Sequence, residues 1–240
     1  YSSSSWSQLG SDIDGEAADD YSGNSVSMDS DGYRVAIGAY YNGAAGHVRV
    51  IEIGSVTISG TSGFRMMSSP VAGQVYSDLL SELWTQGMTG ADYTGGTANV
   101  WTYSTAGQSW SALTNISTAS QTAGAGFLVY VYQDANFDGD TSDDADLPVT
   151  LSVSGTENSS SATVGSIGDG NWALIGNPFY STIDWDLVTQ TNVTTSAYVW
   201  DSQAGTPAYV SWNGSAGSLT AGLIAPFQGF WVQASGGTGS

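Results

Sequence analysis

An aspartate-rich stretch near the middle of the chain has the residue types and spacing of a cation site. The segment Asp134-Ala-Asn-Phe-Asp-Gly139 places an oxygen-bearing side chain at every second position, and its glycine permits the sharp turn that brings them together. More aspartates follow, and so many carboxylates would repel one another without a cation. We therefore predict a calcium site with the ligands Asp134, Asn136, Asp138, Asp140, Asp143, Asp144 and Asp146.

This segment is not predicted to form an EF-hand, because Ala145 stands where the bidentate glutamate belongs and no helical pattern flanks it. The alternative is a solvated acidic hairpin loop between strands at Phe127–Gln133 and Leu147–Val153. A second acidic stretch, Asp12-Ile-Asp-Gly-Glu16 followed by Asp19 and Asp20, has incomplete spacing for a metal site. We interpret it as a polar turn.

Catalytic residue types are scarce, so we predict a protein that is not an enzyme. The chain has no cysteine and one histidine, His47, with no nucleophile-elbow sequence to accompany it. Asp184 and Asp186 are the nominal pair for glycosidase chemistry, but alternation in a strand or a turn explains them equally well.

Aromatic side chains indicate a different kind of function. Flat rings suit the faces of sugars, so four tryptophans are candidates for a carbohydrate-stacking platform. The favoured interpretation is that they form the core of two equivalent half-sheets. These tryptophans are Trp101, Trp110, Trp200 and Trp212.

Composition favours an all-β protein outside the cell. Glycine, serine and threonine dominate the non-apolar positions of the 240 residues, nine tryptophans and thirteen tyrosines supply apolar mass, and helical periodicity is nearly lacking. The net charge of −19 repels phosphate backbones and anionic membranes, so we predict no nucleic-acid partner. No apolar run approaches transmembrane length, so we predict no membrane insertion.

Residues 1–54 are predicted to form a first β unit with strands at Ser25–Met28, Arg34–Ala39 and His47–Ile53. The segments Trp6-Ser-Gln-Leu-Gly10, Arg34-Val-Ala-Ile-Gly-Ala39 and Gly46-His-Val-Arg-Val50 resemble a single FG-GAP-like β-propeller repeat. The resemblance implies a blade-like unit. A propeller needs several blades, so this one requires a partner to cover its faces and edges.

Residues 55–240 are predicted to form an internally duplicated β-sandwich or flattened barrel, with halves at about 55–155 and 156–240. Four landmarks recur in the same order at offsets of 99 to 108 residues. They pair Phe64–Pro70 with Trp172–Pro178, Asn99–Trp101 with Tyr198–Trp200, Trp110 with Trp212, and Gly126–Val129 with Gly229–Val232.

Two further elements are predicted in this second domain. Ile224–Gln233 is predicted to be one buried strand entered through a proline turn, and Ser77–Trp84 a short helix. Through Gly176-Asn-Pro-Phe, Ile183-Asp-Trp and Pro226-Phe-Gln-Gly-Phe-Trp-Val the domain also resembles uncharacterised β-rich C-terminal regions of Bacteroidetes-type surface and secreted proteins. That resemblance implies no activity.

Four Asn-x-Ser/Thr sequons are candidate glycosylation sites. They are Asn115, Asn158, Asn192 and Asn213.

The leading functional hypothesis is an extracellular structural protein that associates with copies of itself in a surface fibre or filament stabilised by calcium. An N-terminal strand would pair with an open sheet edge of a neighbour, and such a head-to-tail contact propagates. The alternative is a carbohydrate-binding or adhesive module of a larger cell-surface protein, with glycans as partners. The strand predicted to self-associate comprises Ser3, Ser4, Ser5, Trp6, Ser7, Gln8 and Leu9.

Overall fold

The structure, a computed structural model, divides the chain into two compact units. Unit 1 comprises residues 1–55 and 152–156, and unit 2 comprises residues 56–151 and 157–240. Residues 152–156, assigned by the sequence to the second domain, thus lie with the first. The backbone alone is described for residues 51–53 and 154. The described residues are 15–28, 34–43, 45–140, 146–155, 158, 162 and 165–240.

Strands dominate the described chain, which confirms the predicted all-β class. The helical segments are α1 (Tyr76–Leu79) and two 3-10 turns at Trp185–Leu187 and Thr220–Gly222. The strands are β1 (Ser22–Met28), β2 (Arg34–Ala39), β3 (His47–Ile58), β4 (Gly63–Met67), β5 (Val100–Ser104), β6 (Ser109–Ala112), β7 (Phe127–Val131), β8 (Val149–Gly155), β9 (Trp172–Gly176), β10 (Ile183–Asp184), β11 (Ala197–Asp201), β12 (Ala208–Trp212), β13 (Leu223–Ile224) and β14 (Gly229–Gln233).

Strands β1 and β2 of unit 1 belong to a sheet with the order β1-β2-β3-β8. Strand β2 has the predicted bounds, and its alternation buries Val35 and Ile37 while Arg34 stays exposed. Strand β1 begins earlier than predicted, and β3 continues beyond the predicted end to Ile58. Because β1 is the outermost strand in this order, its outer edge is unpaired within the described sheet.

Unit 2 contains two four-stranded sheets with the orders β4-β7-β5-β6 and β9-β14-β11-β12. In each sheet the earliest strand pairs antiparallel with the latest, and the two intervening strands form a hairpin at the other side. A two-stranded sheet, β10-β13, accompanies the second. None of the sheets among the described residues closes on itself, so the predicted alternative of a flattened barrel is not observed.

Each large sheet of unit 2 buries one face. In the first, Phe127 of β7 is fully buried, and Tyr76 of α1 packs edge-on against it with ring centroids 5.1 Å apart. In the second, Phe230 and Val232 of β14 are buried, and Trp185 packs against Phe230 at 5.4 Å. Phe230 therefore belongs to the core, as the sequence predicts.

The two large sheets of unit 2 meet through a reciprocal pair of backbone contacts. Met67 at the end of β4 forms an antiparallel bridge to Gln228, which precedes β14. Ile175 in β9 forms the equivalent bridge to Ala125, which precedes β7. Adjacent N–H to O hydrogen bonds run from Ser68 to Phe227 at 2.8 Å and from Gly176 to Gly124 at 2.9 Å.

Glycine is required at both contacts, since the backbones approach too closely for a side chain. A Cβ on Gly229 would lie 2.8 Å from the carbonyl oxygen of Met67. A Cβ on Gly126 would lie 2.6 Å from the carbonyl oxygen of Ile175. The Gly-Phe pairs that begin the two core strands thus reflect this packing requirement.

The predicted strand over Ile224–Gln233 is two strands. Strand β13 ends at Ile224 and pairs with β10, whereas β14 starts at Gly229 and pairs with β9 and β11. The chain must turn between these partners, and Phe227 in the turn adopts a left-handed φ of 61°.

The hairpin considered as the alternative for the acidic loop, between Phe127–Gln133 and Leu147–Val153, does not form. Strand β7 has β4 on one side and β5 on the other, so neither edge is free for β8. Strand β8 instead lies beside β3. Residues 134–146 therefore connect strands of two different sheets.

The helix predicted at Ser77–Trp84 is shorter and earlier, at Tyr76–Leu79. The side chains of Leu79, Leu80 and Leu83 are nevertheless all buried. The segment beyond Leu79 continues in turns, with Leu83 N–H bonded to Leu80 O at 2.9 Å.

We expect Gly229→Ala to lower the free energy of unfolding by about 1–3 kcal/mol, because its Cβ would press on the rigid backbone of Met67. The measurement is urea denaturation followed by tryptophan fluorescence. Gly205→Ala is the matched control, since a Cβ there meets nothing within 4 Å. Equal stability of the two variants would contradict the close approach of the sheets.

Candidate functional site

Seven side chains line a groove of about 610 Å³ in unit 2. Its volume lies in the range of about 300–1,000 Å³ typical of ligand sites. Both large sheets contribute: β5, β6 and the turn between them on one side, and β9, β11, β12 and β14 on the other. The lining residues are Tyr103, Gln108, Trp110, Trp172, Tyr198, Tyr209 and Trp231.

Trp231 is the centre of this aromatic groove. Its ring meets Tyr103 edge-to-face at 4.6 Å and 87°, and Trp110 at 5.6 Å and 83°. The ring of Trp172 lies 6.5 Å away at 89°. Edge-to-face pairs are each worth about 0.5–1.5 kcal/mol beyond their buried area, so these contacts fix the orientation of the rings.

Gln108 holds the two sides of the groove together. Its Nε2 donates to the carbonyl oxygen of Trp172 at 2.8 Å, and its Oε1 accepts from the N–H of Trp172 at 2.9 Å. Nε2 also donates to the carbonyl oxygen of Thr105. The amide therefore fixes the position of Trp172 rather than presenting its polar atoms to a ligand.

The groove carries no formal charge, because its lining consists of three tryptophans, three tyrosines and Gln108. Its other polar groups are the tyrosine hydroxyls, which can donate and accept hydrogen bonds, and the tryptophan indole N–H groups, which can only donate. Burial raises the pKa of the Tyr103 hydroxyl, so this group stays protonated to higher pH than an exposed tyrosine. Such a surface can stack against apolar faces of a ligand and hydrogen-bond its hydroxyls.

The four tryptophans predicted as a possible platform do not line one common surface. Trp110 is 41% exposed and lines the groove, whereas Trp101 and Trp200 are half-buried outside its lining. Trp212 packs against the buried core of the second sheet. The Nε1–H of Trp200 is buried without a hydrogen-bond partner among the described residues.

The predicted equivalence of Trp110 and Trp212 is wrong. Trp110 lies opposite Tyr103, on the groove face of its hairpin. Trp212 lies opposite Ala197, which is fully buried in the core. The two turns connecting these hairpins differ in length, so the aligned tryptophans fall at different register positions and on opposite faces.

The predicted burial of the strand residues up to Gln233 is only half correct. Phe230 and Val232 are buried, but Trp231 between them points to the other face and lines the groove. The period-2 alternation of a strand is the signal that separates it from its neighbours.

In the acidic loop, side-chain oxygens accept hydrogen bonds from backbone N–H groups of the same loop. Asp134 accepts N–H bonds from Asp138 at 3.1 Å and from Gly139 at 2.9 Å, and Asn136 accepts a second bond from Asp138 at 3.2 Å. The ring of Phe137 stacks on Trp84 at 4.7 Å and 13°. Three predicted ligands thus lie within one compact turn.

Two of the remaining predicted calcium ligands, Asp140 and Asp146, are also hydrogen-bonded to backbone or side-chain groups near this turn. The N–H of Asp140 donates to Asp138 at 2.8 Å, and the buried Asp146 accepts from Ala135 N–H at 3.1 Å. Asp143 and Asp144 lie outside the described residues. Among the residues that are described, no three His, Cys, Asp or Glu side chains are grouped closely enough to hold a metal ion.

The first acidic stretch forms a turn closed by Asp20, while Asp12 and Asp14 lie outside the described residues. The Asp20 carboxylate accepts N–H bonds from Ser22 at 3.1 Å, Ala17 at 3.2 Å and Glu16 at 3.0 Å. These bonds, led by that from Ser22, lower the pKa of Asp20.

The residues considered for catalysis are engaged in local contacts. His47 Nδ1 lies 3.3 Å from Glu16 Oε2. Asp186 accepts hydrogen bonds from Trp212 Nε1–H at 2.9 and 3.1 Å, and Asp184 accepts the N–H of Asp186 at 3.0 Å.

The four sequon asparagines differ in the hydrogen bonds that their side-chain amides form. Nδ2 of Asn158 donates to two carbonyl oxygens, and Nδ2 of Asn192 donates to one. In Asn115 and Asn213 the side-chain oxygen accepts local bonds. The predicted self-associating strand Ser3–Leu9 lies outside the described residues.

Comparison with known protein families, curated proteins and solved structures finds no match to this chain. None of the helices in the described part of the chain has the length and apolar character needed to span a membrane.

Proposed function

We propose that unit 2 is a carbohydrate-binding module of an extracellular, cell-surface protein, with the aromatic groove as its binding site. The observation that carries the proposal is the convergence of six aromatic side chains from two sheets on one open groove. Aromatic rings that are only partly buried offer apolar area to a ligand together with polar tips.

Sugars match this surface chemically. A pyranose ring presents C–H groups on its faces and hydroxyls at its rim, so it stacks on an aromatic ring while its rim remains hydrogen-bonded. The tyrosine hydroxyls of the groove suit that rim, since each can donate or accept. The ring-to-ring contacts of Trp231 and the amide of Gln108 order the site before a ligand arrives, which lowers the entropic cost of binding.

We further propose that the groove arose from duplication of one half-unit into a two-sheet sandwich. The shared strand order of the two sheets and their reciprocal bridges support this origin. Duplication alone yields two equivalent aromatic faces, and subsequent divergence of the hairpins leaves Trp110 in the groove and Trp212 against the core.

Replacing Trp110 with alanine should weaken glycan binding at least about tenfold, equivalent to about 1.4 kcal/mol, because the exposed wall of the groove is lost. Glycan-array screening followed by titration calorimetry measures this loss. Tyr93→Ala is the matched control, since Tyr93 is 54% exposed but lies outside the groove. Equal loss of binding in both variants, or no glycan binding by the native chain, would contradict the proposal.

A second candidate function, self-association, is favoured by the exposed apolar surface of unit 1. Val26, Met28, Val48 and Val50 are each at least 60% exposed, although all lie within strands of the sheet. Exposed apolar side chains beside an unpaired strand edge are typical of surfaces that pair with another chain. We propose that unit 1, as a single blade-like repeat, is covered by a second copy of the chain.

In this second proposal a strand at Ser3–Leu9 of one copy adds to the outer edge of β1 in the next, which builds a fibre. Deleting residues 1–9 should then leave monomers in negative-stain microscopy and size-exclusion chromatography. Leu187→Ala is the control that should leave assembly unchanged, because Leu187 is an exposed residue of unit 2. Filaments of normal length after the deletion would contradict this mechanism.

We propose calcium as the ligand of the acidic loop, with Asp134, Asn136 and Asp138 as the central oxygen donors and the other four aspartates around them. Calcium at one hundred times its dissociation constant would stabilise the folded chain by about 2.7 kcal/mol. Thermal unfolding with calcium or with EDTA tests this. Asp134→Asn should abolish the difference and Asp78→Asn, at a separate aspartate, should retain it. Equal unfolding temperatures of the native chain in calcium and EDTA would overturn the proposal.

A further inference from the structure

The charge of the protein restricts which sugars the aromatic groove can take. The chain has three cationic residues, all arginines, against 22 acidic ones, and none of the arginines lines the groove. The guanidinium of Arg65 donates instead to the carbonyl oxygens of Ser59 and Thr61 at 3.1 and 2.9 Å. An anionic glycan would find no counter-charge in the groove and would be repelled by the field of the whole chain.

The arrangement of the rings restricts the stereochemistry of the sugar. Trp231 stands at 83° to Trp110 and 87° to Tyr103, so the apolar walls of the groove are nearly perpendicular. A sugar bound there meets aromatic surface on more than one side. A pyranose with all its hydroxyls equatorial has C–H groups on both faces, whereas an axial hydroxyl would press a polar group against a ring.

The hydrogen-bonding groups of the groove also favour a neutral sugar as its ligand. Gln108, the one amide in the lining, is already bonded to the backbone of Trp172 and Thr105. The remaining polar groups of the lining are therefore the hydroxyls of Tyr103, Tyr198 and Tyr209 and the indole N–H groups of the three tryptophans, all of them neutral. Neutral hydroxyls of a sugar rim pair with these groups without a charge to desolvate.

We propose that the groove selects neutral β-linked glycans of all-equatorial pyranoses, the glucose and xylose type, over acidic glycans and over those with axial hydroxyls. This selectivity rests on the proposed carbohydrate-binding function and specifies its ligand class. The linkage is part of the proposal because an equatorial linkage keeps successive rings in an extended ribbon that can lie along an open groove.

Titration calorimetry on the full chain tests the selectivity with five probes: cellohexaose, xylohexaose, a galactan oligomer with axial hydroxyls, oligogalacturonate as the acidic glycan, and a proline-rich peptide. We expect cellohexaose or xylohexaose to bind at least about tenfold more tightly than each of the other three. Trp110→Ala should weaken that binding at least about tenfold, and Tyr93→Ala should change it less than about twofold.

The outcomes separate this inference from the function on which it rests. Tightest binding of the galactan or the oligogalacturonate, lost in Trp110→Ala, would overturn the selectivity and leave carbohydrate binding in place. Binding of the peptide alone, of no probe, or of sugars without any effect of Trp110→Ala would overturn both. Unchanged unfolding midpoints of the two variants establish that any loss arises in the groove.

Discussion

The close backbone contact between the two large sheets of unit 2 is the constraint on which the rest of that unit depends. Gly229 lies against Met67 and Gly126 against Ile175, so neither position can carry a side chain. The reciprocal bridges fix how the sheets meet. Each sheet buries one face in its core, and aromatic side chains from the opposite faces come together in the groove.

The aromatic groove follows from this constraint. Side chains alternate across a strand, so burial of Phe230 and Val232 requires Trp231 to point to the opposite face. There it meets Tyr103 and Trp110 from the other sheet. Complete burial of these large rings would stabilise the fold further, yet Trp110 stays 41% exposed. Exposed aromatic area held in fixed geometry is what a stacking ligand requires, and this is why binding is favoured over packing as its role.

The sequence predicts strands well where alternation is strong, as in β2, whose bounds were correct. It also predicts Phe230 as core, because a buried strand is apolar on that face. It does not predict the groove, because the exposure of Trp231 depends on a distant sheet. Trp110 lines the groove whereas Trp212 packs against the core because the two hairpins differ in register. The register depends on the unequal turns, and a single sequence does not reveal it. The missing hairpin at the acidic loop has a similar cause, since β4 and β5 occupy both edges of β7.

Nuclear magnetic resonance of the tryptophan indole N–H groups tests the central claim, that the groove is a binding site, most directly. Each of the nine tryptophans gives one side-chain signal, so the groove and the core are observed separately in one titration with cellohexaose. The account predicts shifts for Trp110, Trp172 and Trp231, which line the groove. It predicts unchanged signals for Trp185 and Trp212, which pack in and against the core. Shifts confined to the core tryptophans, or no shifts at saturating sugar, would contradict it.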